Sequence, residues 1–124
     1  MLKSIRILNT AIIVPFTLKL TSNMYLYNIT YLVSHTINQA WLDWMKQEHV
    51  PAMLSSGLFT HHSILRLMEV DQTEGITYAF QFYAESLSDY KKYISDYAPA
   101  LRQKANEKWG DQVMGFRTLM ETVQ

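Results

Sequence analysis

The spacing of apolar residues changes period along this chain, and the order of those changes leaves few folds open. Residues 24–33, MYLYNITYLV, alternate: Tyr25, Tyr27, Ile29, Tyr31 and Val33 share one face, and Leu26, Asn28, Thr30 and Leu32 the other. A two-residue period rich in aromatic and β-branched side chains predicts a strand. Ile37, Trp41, Trp44 and Met45 then recur at helical spacing. Thr36-x-x-Gln39 ahead of them predicts a capping box. Pro51 is expected to end the regular helix, because the residue before a proline is pushed out of the α region. Residues 52–54 would add a short turn at most, with Gly57 closing the segment.

Residues 58–70 and 76–84 read as two further strands joined by the polar loop 71–75. Ser86-x-x-Asp89 marks a second helix start, and Leu87, Tyr90, Ile94 and Tyr97 follow at helical spacing. Pro99 is expected to kink that helix or to begin a new segment as a first-turn proline. Leu101 and Ala105 continue the stripe and Gly110 is placed to end it. Residues 113–121, VMGFRTLME, alternate again as a last strand.

The order strand, helix, hairpin, helix, strand predicts an α+β fold of ferredoxin-like βαββαβ type: a four-stranded antiparallel sheet under two helical crossovers. Pairing Val70 with Gly75 sets Leu65 against Phe80, Leu67 against Tyr78, Arg66 against Ala79 and His62 against Tyr83. The helix-covered face then holds Leu65, Leu67, Ile76, Tyr78, Phe80 and Phe82. The other face holds Leu26, Asn28, Thr30, Leu32, His62, Ile64, Arg66, Met68, Ala79 and Gln81. A sheet face open to water would be mostly polar, yet this one keeps Leu26, Leu32, Ile64 and Met68. A patch of that kind marks an interface, and the expected partner is a second copy of the chain.

At 124 residues the chain has the length of one domain. Formal charge is zero overall, but residues 1–23 hold Lys3, Arg6 and Lys19 and no acid, so the remainder is mildly acidic. That balance lacks the basic footprint of nucleic-acid binding. There is no cysteine, which excludes disulfides, thiolate metal sites and cysteine nucleophiles. A reducing, cytoplasmic location is compatible with this and is the expectation.

Residues 1–23 stand apart as an N-terminal extension. Their apolar residues cluster at 5–8 and 11–20, broken by Asn9, Pro15 and Lys19. No run reaches the ~18 residues of a membrane-spanning helix. Three readings are open: a mis-assigned start, with Met24 the real one; a weak signal-like or membrane-surface segment; or an additional ordered element. The domain proper is residues 24–124 in each case.

Several separated stretches agree, in order, with one family. Trp41-Leu42-Asp43-Trp44-Met45-Lys46-Gln47-Glu48-His49-Val50-Pro51 resembles the first helix of the family called domain of unknown function 4286. Arg66-Leu67-Met68-Glu69-Val70, Thr77-Tyr78-Ala79-Phe80-Gln81, Ala84-Glu85-Ser86-Leu87, Tyr97-Ala98-Pro99-Ala100-Leu101-Arg102 and Gly115-Phe116-Arg117-Thr118 look like it too. The resemblance runs from Met24 to the C-terminus. It implies a dimeric α/β barrel, a group that includes cofactor-free monooxygenases, haem-degrading proteins, isomerases and proteins without known activity. It leaves function open.

Candidate chemistry centres on Glu48 and His49. At 100° per residue Glu48 falls near the middle of the Ile37/Trp41/Trp44/Met45 stripe and His49 at its margin. The two would serve as acid and base at a pocket mouth beside Trp44, or else both extend past the sheet into water. Arg66 and Arg117 lie on strands among apolar neighbours. They would anchor an acidic ligand or pair structurally with Glu69, Glu121 or a partner chain. His61 and His62, adjacent on a strand, point to opposite faces and cannot share a metal; no metal site and no cofactor is expected. The expected function is a homodimeric domain binding a small molecule between sheet and first helix, through Trp44, Glu48, His49, Arg66 and Arg117. The alternative is a non-catalytic dimeric structural or regulatory module.

Overall fold

Burying one face of the alternating β1 (Tyr25–Val33) sets the architecture. In a computed structural model, which describes residues 23–124, β1 pairs antiparallel along its whole length with both β3 (Ile76–Ala84) and β4 (Val113–Glu121). β2 (His61–Arg66) completes the sheet on the far side of β3, in the order β2-β3-β1-β4. Each helical crossover therefore passes over one strand, which is the predicted ferredoxin-like α+β arrangement.

The first crossover enters through a 3-10 turn and continues as α1 (Asn38–Trp44), a π-helical turn (Met45–His49) and α2 (Val50–Leu54). The second is α3 (Leu87–Asp96) and α4 (Ala98–Trp109). Tyr27, Ile29, Val33, Tyr78, Phe80, Phe82 and Ala84 from the sheet pack against Trp41, Trp44, Met45, Val50, Met53, Tyr93 and Ala98 from the helices. The N–H of Asp89 donates to the Ser86 hydroxyl at 3.0 Å, the expected cap. Pro99 sits in the first turn of α4, after a break at Tyr97, and Gly110 closes that helix with φ 58°.

Three local expectations are corrected. No capping box forms, because neither Thr36 nor Gln39 bonds an orphan donor; Gln39 Nε2 instead donates to Asp43 Oδ1 at 2.9 Å. The helix also runs on through Pro51. The Val50 N–H bonds the Met45 carbonyl, five residues back. A proline ring in a regular helix clashes with the carbonyl four residues earlier, and the wider turn just before Pro51 relieves that clash. Finally, β2 is shorter than residues 58–70. It ends at Arg66, and Glu69 takes a left-handed φ of 57° in a long connection to β3.

The β2–β3 register differs from the expectation by one residue. His62 faces Phe82, Ile64 faces Phe80, Leu65 faces Ala79 and Arg66 faces Tyr78. Ile64, His62 and Arg66 thus belong to the helix side, and His61, Ser63 and Leu65 to the open side, while Leu67 and Met68 lie beyond the strand. Burial specifies register when one face is dry and the other wet. Here each face of β2 mixes polar and apolar residues, His62, Ile64 and Arg66 against His61, Ser63 and Leu65, so that criterion could not choose. His61 stacks on Tyr83 (4.1 Å) and His62 on Phe82 (5.9 Å), on opposite faces as expected.

Gly75 opens β3 against the Val33 backbone. A Cβ there would run into the Val33 carbonyl, 2.8 Å from its carbon. Strand backbone cannot yield as a side chain can, so Gly75→Ala is expected to cost about 3 kcal/mol. Gly57, at φ 76° with open space around it, should lose only about 1 kcal/mol as Ala. Urea midpoints of the two variants test this; equal losses would mean that the close approach is not there.

Candidate functional site

A cavity of about 340 Å³ lies between the β1–β4 half of the sheet and the helices. Its floor is Ile29 and Tyr31 from β1 with Val113, Gly115 and Arg117 from β4. One wall is Trp41, Met45, His49 and Met53; the other is Tyr93 of α3 with Leu101, Arg102, Ala105, Asn106 and Trp109 of α4. Trp41, Met45, Met53, Tyr93 and Ile29 are buried, whereas Asn106, Gly110, Gly115 and Arg117 are exposed and form its mouth. Gly115 leaves the floor open. A Cβ at that position would meet the Tyr31 ring at 3.4 Å.

The π turn places the first wall. Trp41, Met45, His49 and Met53 recur every four residues. On a regular helix of 3.6 residues per turn such a set drifts about 40° per step. A π turn at the middle step reverses the drift there and keeps all four on one narrow stripe. The same turn carries Glu48 out to the solvent and brings His49 in, the reverse of what a uniform 100° step predicts. π turns recur at functional sites because they re-aim side chains in this way.

His49 is 8% exposed and its ring lies tilted against Trp44, 5.2 Å between centroids; Trp44 in turn meets Trp109 edge-on at 6.0 Å. Burial among these rings pushes the His49 pKa down to about 4, because an imidazolium loses its hydration there. The imidazole is therefore neutral at pH 7. Burial also raises the pKa values of Tyr27, Tyr31 and Tyr93, so these phenols stay protonated. Arg102 Nη2 donates to the Tyr27 hydroxyl at 3.2 Å, which opposes part of that rise. The Trp109 indole N–H is buried and has no hydrogen-bond partner among the described residues. A buried unpaired donor on a cavity wall is uncommon in a settled core.

Of the residues singled out in the sequence, the cavity brings together His49 and Arg117. Trp44 packs behind His49 and does not line it. Glu48 faces away, and Arg66 lies on β2, the opposite edge of the sheet, with the β1 and β3 strands between it and β4. Neither arginine has an acidic partner among the described residues, so the expected pairing with Glu69 or Glu121 is not formed; Glu121 accepts from Asn23 instead, at 2.8 Å. Sequence reasoning missed Arg102, Tyr31, Tyr93 and Trp109. The one signal was the spacing Leu101, Ala105, Trp109, which reads equally well as core. Among the described residues no cluster of three His, Asp or Glu side chains has metal-binding geometry, and no helix is long and apolar enough to cross a membrane.

This arrangement of sheet, crossovers and cleft belongs to the ferredoxin-like α+β class. An ethyl tert-butyl ether d (ethd) family protein from Bacillus halodurans superimposes with a TM-score of 0.56 at 15% identity, over 81% of this chain and 98% of its own. A dimeric ferredoxin-like protein from an uncultured marine organism gives 0.56 at 10% identity, over 82% and 96%. An aldoxime dehydratase in complex with butyraldoxime gives 0.57 at 15%, over 80% of this chain but 27% of that one. Identities this low speak for the fold alone. The chain belongs to the family described as Domain of unknown function (DUF4286), which matches residues 24–123. No curated protein matches it. The expected extension over residues 1–23 lies, but for Asn23, outside the described residues.

Proposed function

We propose that this is a homodimeric small-molecule-binding domain whose ligand sits between the sheet and the helices, with His49 and Arg117 at the site. The observation that carries this reading is the cavity, because protein interiors otherwise fill such space with side chains and about 340 Å³ falls at the small end of ligand pockets. The open sheet face supports self-association. Leu65, Met114, Phe116 and Met120 lie on it with 47%, 52%, 58% and 39% of their surface exposed. One fold neighbour is described as dimeric. A cytoplasmic site of action and the lack of a resident cofactor belong to the same reading, and no reaction is assigned.

Native mass spectrometry of the full chain tests both parts together. The expected spectrum is a dimer that carries one small molecule per chain. Gly115→Leu should keep the dimer and lose the bound mass, since the added side chain would project from the floor against Tyr31. The same mass retained in that variant would place the ligand elsewhere. A dimer that takes up nothing would favour the non-catalytic structural or regulatory module.

A further inference from the structure

We infer that the ligand is an organic anion, a small carboxylate whose charged end is held by Arg117 and Arg102 and whose apolar body lies against Trp41, Met45 and Met53. This deepens the binding reading above and rests on it. Two guanidinium groups line the cavity and no Asp or Glu does. They approach from different walls, Arg102 from α4 and Arg117 from β4, and the charge of each acts on both Tyr27 and Tyr31. Both cations therefore lie within electrostatic reach of the same pair of phenols. Neither is offset by a carboxylate among the described residues. Two like charges converging on a concave, partly apolar volume repel each other unless an anion lies between them.

Arg102 spends one hydrogen bond on Tyr27 out of a fork of five donors, and Arg117 has no hydrogen-bond or ion-pair partner among the described residues. That leaves a set of N–H groups suited to the two oxygens of a carboxylate. The neutral phenols of Tyr31 and Tyr93 add donors that cost no charge. Beyond the arginines the walls are mostly thioether, indole, phenol and aliphatic, with His49 and Asn106 as the other polar side chains, so an apolar body finds contact there. An amphiphile with a single anionic end satisfies both regions.

Octanoate and its uncharged counterpart 1-octanol serve as probes, titrated into the full chain by tryptophan fluorescence, since Trp41 and Trp109 line the cavity. Octanoate should bind at least about tenfold more tightly than 1-octanol, the scale of one charge-assisted hydrogen bond. Arg117 is exposed, so Arg117→Gln should fold normally. It should weaken octanoate about tenfold and leave 1-octanol unchanged, and Arg117→Lys should recover part of the loss. Equal binding of the two probes, or octanoate binding indifferent to Arg117→Gln, overturns the anion inference and leaves the cavity reading intact. Failure of both probes to bind overturns the two together.

Discussion

Phe116→Arg is expected to convert the proposed dimer into a single chain. Phe116 lies on the face of β4 turned away from the helices, opposite Thr30, and 58% of its surface is exposed. Met114 and Met120 flank it on the same face, and Leu65 stands on the other edge strand. Between them runs a polar strip in which Gln81 Nε2 donates to Asn28 Oδ1 (3.3 Å) and Asn28 Nδ2 to Thr30 Oγ1 (3.0 Å). A two-fold interface uses the same patch on each copy, so one substitution acts twice. Arginine there would bring two cations into an apolar contact. Burying each without a partner costs several kcal/mol, enough to shift the dissociation constant by a factor on the order of a thousand.

Leu119→Arg is the matched control. Leu119 is 40% exposed on the same strand, but it faces the helix side, opposite Tyr27. Sedimentation at micromolar concentration should show a monomer for Phe116→Arg and a dimer for Leu119→Arg, with unchanged circular dichroism for both. If the two variants behaved alike, the open face would not be the interface.

A second large effect concerns acid. The His49 pKa is about 4 in the folded chain, against an ordinary histidine value of 6.5. A depressed histidine means that the unfolded chain takes up its proton first. Between pH 6.5 and pH 4 the unfolded state therefore binds more protons, and stability must fall as pH falls through that window. Above 6.5 His49 contributes no slope. The full difference corresponds to about 3 kcal/mol lost by pH 4. Urea unfolding at pH 7.5 and at pH 4.5 should show most of this loss, and His49→Gln should show correspondingly less. Parallel stability curves for the two proteins would mean that His49 is not held neutral by burial.

Much of the fold follows from local chemistry that acts between near neighbours in the chain. Alternation in residues 24–33 and 76–84 marks strands wherever they are placed. Ser86 caps its helix with a side chain three residues from the donor, Pro99 fits the first turn of a helix, where its missing N–H is not needed, and Gly110 supplies a φ of 58° that other residues resist. These are short-range effects, and their energies do not depend on what lies across the sheet.

The errors share a different cause. The β2–β3 register slipped because Ile64 and Leu65 are equally apolar, and nothing near them in sequence says which one the helices cover. Glu48 and His49 exchanged places because a uniform 100° step cannot see the π turn Met45–His49 that precedes Pro51. Arg102 sits in Leu101-Arg102-Gln103-Lys104, where it reads as one more solvated base. Its meaning comes from Tyr27, 75 positions earlier, and from Arg117 on a strand that reaches β1 only after the second crossover. Element order and caps are properties of neighbouring residues and were readable as such; face, register and cavity arise from groups that the chain brings together only on folding, because burial is a relation between distant surfaces and not a property of either one.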